Sequence, residues 1–330
     1  MSQGPVLQFA LLAGFIMAIT LTLLTSSSEH LLRRILRHKA PAQRARISWW
    51  MLVTPAFAGL AYMSVTLAMP SIHHHFSTLV AECSAHTGSL WHMCVWHPSD
   101  NGQSAWLWGG LALLATYACW LSARAGASLW RVRRTLATML RLSWCPDNSG
   151  RLRILEANQP LALACGIGRG HILLSTSLLE RLNPAQLQVV LAHEQAHVAY
   201  RDVLYRLIAM VLSSIQLPGT RRRLLRDLEL AFEQRCDMAA AKSVGSSIVV
   251  AETIVAVEKI FQHHAKGQGA LSMAFFLDFV PERVQALLSP DRENTSFLGL
   301  FLGLTVIAFC SLSPGWLHYF TESLIGVLGN

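Results

Sequence analysis

The sequence predicts a mainly α-helical membrane protein, with four transmembrane helices and an α+β domain inserted between the third and the fourth on the cytoplasmic side. Three observations carry this expectation. The chain of 330 residues is 52% hydrophobic and only 14% charged, too apolar for an ordinary soluble domain. Four stretches stay apolar over about the 20 residues that a helix needs to cross a hydrocarbon core roughly 30 Å thick. The segments that join those stretches alternate between basic and non-basic, which fixes an orientation.

The stretches are Val6 to Leu24, Trp49 to Met69, Ala105 to Ala123, and Phe297 to about Trp316; the first three hold no charged residue. In lipid such a segment satisfies its own backbone hydrogen bonds as a helix. Between the first two lie Arg33, Arg34, Arg37, Lys39, Arg44 and Arg46 with no acid, whereas 70–104 holds Glu82 and Asp100 and neither Lys nor Arg. Arg124, Arg131, Arg133, Arg134 and Arg141 follow the third stretch, and no Lys or Arg follows Phe297. The positive-inside rule then sets both termini outside a bacterial cytoplasmic membrane. The expected units are 1–123 with a basic turn (30–46) and an outer loop (70–104), a cytoplasmic domain 124–295, and 296–330 with the fourth helix and a short outer tail. The first stretch has no basic segment before it, so it reads as an anchor rather than a cleaved signal. The net charge of +8 is explained by the same asymmetry. Arg221, Arg222, Arg223 and Arg226 are assigned to anionic lipid headgroups, and direct nucleic-acid binding is not expected.

Inside 124–295, Arg151 to Glu156 and His171 to Ser175 have strand-like patterns, separated by Gly166, Gly168 and Gly170, and predict a small sheet or hairpin. Helices then dominate. Leu191-Ala192-His193-Glu194-Gln195-Ala196-His197 contains HExxH, with a marked helix start upstream: Asn183 as cap, Pro184 at the first position and Gln186 completing a capping box. On a helix His193 and His197 stack one turn apart, with Glu194 on the same side. Two imidazoles so placed can bind one Zn2+, leaving Glu194 to take a proton from water. A catalytic zinc site takes a third protein ligand. Arg221 to Val244 reads as a long helix with Glu233 and Asp237 on one face, so Glu233 is the expected third ligand and Asp237 the carboxylate that accepts a ligand imidazole N–H.

Together with Ser175-Thr-Ser-Leu-Leu-Glu-Arg-Leu, Arg201-Asp202, Glu233-Gln-Arg-Cys-Asp237 and Glu282-Arg-Val-Gln-Ala-Leu-Leu, these segments resemble the BlaR/MecR-type membrane metallopeptidases, which are antirepressors in bacterial signalling. The resemblance implies a gluzincin-like HExxH metallopeptidase domain holding one catalytic zinc on His193, His197 and Glu233, with Glu194 as general base. It also implies a cytoplasmic protein substrate, a winged-helix DNA-binding repressor of the BlaI/MecI kind being the usual target. Membrane lipid is the other expected partner, and a homodimer is left open. Members that sense β-lactams carry a penicillin-binding domain after the last span; the sequence given stops at Asn330, so β-lactam sensing is not expected of it. The runner-up is an HtpX/CAAX-like membrane quality-control peptidase, which shares HExxH and a later Glu-x-x-x-Asp. A non-catalytic signalling receptor is the rival from another class.

The outer loop gathers His73, His74, His75, His86, His92 and His97, six of the chain's 14 histidines, beside Cys83, Met93 and Cys94. Cys83 and Cys94 face an oxidising compartment and are expected to form a disulfide; the histidines form a candidate copper or zinc site, and metal outside becomes a candidate signal. Two further expectations concern the inner domain. The apolar run Val203 to Leu217 is short for a span and predicts a core or membrane-surface helix, and the strand at His171 to Ser175 is a candidate edge for pairing with extended substrate.

Overall fold

Three long helices lead the chain in the computed structural model, which describes residues 4–36, 38–76, 105–146, 150–166, 170–265 and 279–289. They are α1 (Gly4–Leu36), α2 (Pro41–Phe76) and α3 (Ala105–Leu142). Each contains one of the first three apolar stretches. α1 runs a further three turns past the expected span because 25–36 holds neither Gly nor Pro; the chain turns only at 38–40, before Pro41 opens α2. Thr25 and Ser28 donate their hydroxyls back to the Leu21 and Leu24 carbonyls at 2.6 and 2.7 Å, so their polarity is satisfied inside the helix. Among the described residues, Gly14–Leu36 is the one segment long and apolar enough to cross a membrane. The expected fourth span, Phe297 to Trp316, lies outside the described residues.

α1 and α2 form a helical hairpin that crosses closely at two glycines. A Cβ on Gly14 would come within 2.7 Å of the Gly59 carbonyl oxygen, and one on Gly59 within 2.8 Å of the Gly14 oxygen. Close approach of backbones at small residues is how helices associate in lipid. Phe15, Ile19, Leu23, Phe57 and Leu60 are left exposed on the outside of the hairpin.

The sheet has four strands, β1 (Ser143–Trp144), β2 (Leu152–Leu155), β3 (Ala162–Cys165) and β4 (His171–Ser175), in the order β1-β2-β4-β3. β4 runs parallel to β2, with Leu152 opposite Ile172, and antiparallel to β3, with Ala162 opposite Leu174. Both edges of His171–Ser175 are therefore taken, which corrects the expectation that this strand pairs with substrate. The end strands are β1, of two residues, and β3, and β3 is the longer one with an edge to offer. Its Ala-Leu-Ala-Cys sequence has little β propensity, so it escaped the pattern search.

Then come α4 (Thr176–Leu179), α5 (Pro184–Tyr200), α6 (Asp202–Leu212), a 3-10 turn (Ser213–Ile215), α7 (Pro218–Val244), α8 (Ser247–Ala265) and α9 (Val280–Leu288). α5 is the central element. Its Val190 packs with Ile172, Leu174 and Leu178 on the sheet side, and its Val189 with Ala240, Val250, Ile254 and Leu287 from α7, α8 and α9. Leu174 and Leu178 are at most 1% exposed, and each such side chain contributes about 1.5–3 kcal/mol of burial. The Val203–Leu217 run proves to be α6 and the turn after it. Ala209 joins a core with Leu224, Leu228 and Phe232 of α7 and with Ala45, Met51 and Leu52 of α2.

Candidate metal centre

The start of α5 is built as its sequence demands. Asn183 Oδ1 accepts from Gln186 N at 2.8 Å, Gln186 Oε1 accepts from Asn183 N at 3.1 Å, and Pro184 holds the first turn. At its other end Arg201 adopts a left-handed conformation (φ 56°, ψ 38°), so α6 begins at once and Asp202 turns back toward α5. α7 opens on Pro218 and stops at Gly245, whose φ of 81° suits a glycine. These boundaries set α5 and α7 side by side with HExxH facing Glu233 and Asp237.

Three side chains converge there. His193 Nε2 and His197 Nε2 are 3.1 Å apart, Glu233 Oε2 lies 3.4 Å from the first, and Glu233 Oε1 lies 3.5 Å from the second. Donors bound to one zinc at roughly 2.0–2.1 Å in tetrahedral directions lie roughly 3.3 Å from one another. The spacing of the three side chains fits a zinc ion. The same three residues form a group within common reach of one ion.

Each imidazole is fixed from behind by a carboxylate. His193 Nδ1 is 2.9 Å from Asp237 Oδ1, and His197 Nδ1 is 2.8 Å from Asp202 Oδ2. An ionised carboxylate only accepts, so each Nδ1 donates and each Nε2 lone pair is turned to the shared point. Behind the carboxylates stand two guanidiniums. Arg283 donates to both oxygens of Asp237 at 2.8 and 2.7 Å and lies 3.2 Å from Glu233, whereas Arg235 pairs with Asp202 and stacks 4.1 Å from the Tyr200 ring centroid. Cys236 Sγ lies 3.4 Å from His197 Nδ1 and 3.5 Å from Asp202 Oδ2.

The charges agree with a cation at the triangle. Burial by itself lowers the pKa of His193, but Asp237 and Glu233 outweigh it and raise it; His197 is likewise held well above its ordinary value by Glu233 and Asp202 despite burial. Burial pushes Glu233 and Asp237 up, and Arg283 with the imidazoles pulls both below the usual carboxylate range, Glu233 the further. Burial raises the Cys236 thiol to about 11, which keeps it a neutral donor.

Glu194 is 8% exposed and lines a cleft of about 520 Å³ with His193, His197 and Glu233. No hydrogen bond or ion pair ties its carboxylate among the described residues. It faces β3, for after burial the Glu194 charge is the second cause that raises the Cys165 thiol. The cleft is also lined by Gln159 to Ala164, leading into and along β3, and by Thr253, Ile254, Val257, Glu258 and Phe261 of α8.

Asp202, Arg235, Cys236 and Arg283 stand in segments that carry the family resemblance, but the sequence reading gave them no part in the site. Asp202 stood beside the motif and carried a usable signal, since a carboxylate five residues past the second histidine can reach it only if the helix stops between them. Arg283 carried none; it arrives from α9, 46 residues after Asp237. His73, His74 and His75 fall in the last turns of α2. His86, His92, His97, Cys83 and Cys94 lie outside the described residues, where both the loop metal site and the disulfide were placed.

Residues 129–270 match the model of peptidase family M48. The chain is 37% identical over 67 residues to "Protease HtpX homolog 2" of Methanosarcina mazei, covering 20% of this chain and 23% of that protein. It is 35% identical over 79 residues (23% and 24%) to a protease HtpX homologue of Thermoanaerobacter pseudethanolicus, and 38% identical over 65 residues (19% and 22%) to one of Aquifex aeolicus. The chain thus spans about a quarter of the length of these relatives. No solved structure matches it.

Proposed function

We propose that the chain is a membrane-anchored zinc endopeptidase whose domain, roughly 124–295, works on cytoplasmic protein segments. The observation that carries this is the donor triangle of His193, His197 and Glu233, with edges of 3.1 to 3.5 Å, beside an uncommitted Glu194. Zinc held there would supply Lewis-acid polarisation of a scissile carbonyl and of a water molecule. Glu194 takes a proton from that water as it attacks and returns it to the leaving amine. Asp237 and Asp202 hold the imidazoles through both steps. An extended substrate lies along β3, antiparallel pairing at its edge setting the scissile bond near Glu194 while Ile254, Val257 and Phe261 of α8 receive apolar side chains.

Orientation is supported from two directions. Lys and Arg collect in 30–46 and after 123. The turn between α1 and α2 is bound to α7 through Arg33 and Asp227 at 2.7 Å, so the basic turn and the domain share one side. By the positive-inside rule that side is the cytoplasm, with α1, α2, α3 and Phe297–Trp316 as the four spans.

Two substrate readings follow. Similarity to HtpX homologues favours a quality-control peptidase acting on unfolded segments near the membrane. Three apolar stretches ahead of HExxH favour the antirepressor layout, with a winged-helix repressor as target and an outside signal, metal at the outer loop among the candidates. The test common to both uses the purified full chain and an unstructured protein substrate. Cleavage is expected to stop with a zinc chelator and to return with added zinc; cleavage that persists in chelator refutes the reading.

A further inference from the structure

The turn between α1 and α2 reaches the helices of the metal centre from the membrane side. Arg44 Nη1, in the first turn of α2, donates to Gln234 Oε1 at 2.7 Å, and Gln234 Nε2 donates to the Glu282 carbonyl of α9 at 2.8 Å. Gln234 is 3% exposed, so its amide has little water to turn to if either partner leaves. The positions matter. Gln234 follows the third donor, Glu233, and Glu282 precedes Arg283, which holds Glu233 at 3.2 Å and Asp237 at 2.7 Å. One buried amide therefore ties α2, α7 and α9 together at the level of the site.

The last third of α1 is itself firmly seated on α7. Thr220 meets Ser26 at 3.2 Å, Arg223 grips the 3%-exposed Glu29 through Nε and Nη2 at 2.7 and 2.8 Å, and Asp227 accepts from Arg33 at 3.0 Å. These pairs recur at one-turn steps, so α7 runs beside α1 in the same direction. Leu36, Ala45, Met51, Leu228 and Phe232 fill the seam with apolar contact.

We infer that Arg44 and Gln234 are positioning residues for the metal centre. Through the Gln234 amide the membrane hairpin fixes how α7 sits against α9, and so where Glu233 lies relative to the two histidines of α5. A shift of the hairpin on α7 is then passed by buried helix-to-helix contacts to the third donor rather than absorbed in a loop. This rests on the zinc reading above.

The test measures zinc affinity by chelator competition, the absorption spectrum of the cobalt-substituted protein, kcat and KM, and thermal unfolding, all on the full chain in detergent or nanodiscs. Gln234→Leu and Arg44→Ala are each expected to weaken zinc binding roughly tenfold, the lower end of what loss of an outer partner costs. They are also expected to shift the cobalt bands and to lower kcat with KM little changed. Arg44→Lys, which keeps a donor for Gln234, is expected to recover most of the affinity. The double variant is expected to lose less than the sum of the two single losses, because the two share the Arg44–Gln234 contact.

Unchanged zinc affinity and cobalt spectrum in Arg44→Ala overturn the proposal, whatever happens to thermal stability. Strictly additive losses overturn it too. If Gln234→Leu fails to accumulate, Arg44→Ala and Arg44→Lys decide between them. A wild-type chain that takes up no zinc refutes the parent reading, an outcome separate from wild-type binding with unaffected variants.

Discussion

The two sides of the imidazole pair look alike at first contact and differ one layer out. On each side an aspartate takes an Nδ1–H and an arginine backs the aspartate. On the His193 side, however, Arg283 spans Asp237 and Glu233 at once and finds acceptors with all three nitrogens, whereas on the His197 side Arg235 reaches Asp202 alone, and its buried Nε has no partner among the described residues. The first side is an ion-pair cluster built from distant helices, α7 and α9. The second is a local turn, α5 into α6, propped by ring stacking on Tyr200 and Phe232. Loss of a cation that pairs two buried acids should therefore cost more than loss of one that pairs a single acid.

That difference gives the largest expected effect. Arg283→Met leaves two buried carboxylates without their cation, and removal of one member of a buried pair costs about 3–5 kcal/mol. Arg235→Met should cost less, about 1–3 kcal/mol for a single buried acceptor left short of a donor. Thermal or denaturant unfolding of the metal-free proteins checks the order, and equal losses would remove the asymmetry. The acid response sharpens it. Glu233 and Asp237 have folded pKa values below their unfolded values of about 4.3 and 3.9, so their contribution is complete above that range and is lost as pH falls through the depressed folded values. Without Arg283 that depression loses its main source and burial opposes it, so the acid unfolding midpoint of Arg283→Met should move to higher pH; an unmoved midpoint contradicts the assignment.

Zinc retention should treat the two sides more evenly. Asp237→Asn and Asp202→Asn each remove the acceptor that orients one ligand imidazole, and each is expected to weaken zinc binding about 10- to 100-fold. Chelator competition reads this directly, and wild-type affinity in either variant would take that aspartate out of the site.

The smallest effect is expected at Arg201. Its left-handed backbone costs a non-glycine residue roughly 1–2 kcal/mol, while glycine loses more chain entropy on folding, so Arg201→Gly should change stability by no more than about 1 kcal/mol. Arg201→Val, β-branched at the same φ, should be clearly worse. If the two unfold alike, the turn is not what aims Asp202 at His197.

How much of this was legible follows the same division. HExxH and the Glu233/Asp237 pair are periodic signals within single helices, so spacing puts each pair on one face of its own helix, and the capping box at Asn183 marks where α5 starts; that the two faces meet is what the structure adds. The first three apolar stretches were readable for the same reason: each is one helix. What failed to show needed information from elsewhere in the chain. Arg283 comes from α9, and Arg44 from the hairpin, 190 residues away from its partner Gln234. β3 went unseen because its alanines carry no strand pattern, and with it went the identity of the free sheet edge, which was assigned to His171–Ser175 instead. The lengths of α1 and α3 were underestimated because a hydropathy span ends where charge begins, while a helix ends only where its backbone is broken.

The most direct test of the central claim is zinc content and protein cleavage measured together on Glu194→Gln. That substitution keeps the shape of the side chain beside the donor triangle and removes the base. The account predicts one zinc per chain, as in the wild type, with cleavage reduced by at least about 100-fold. Cleavage near the wild-type rate at full zinc occupancy would contradict it.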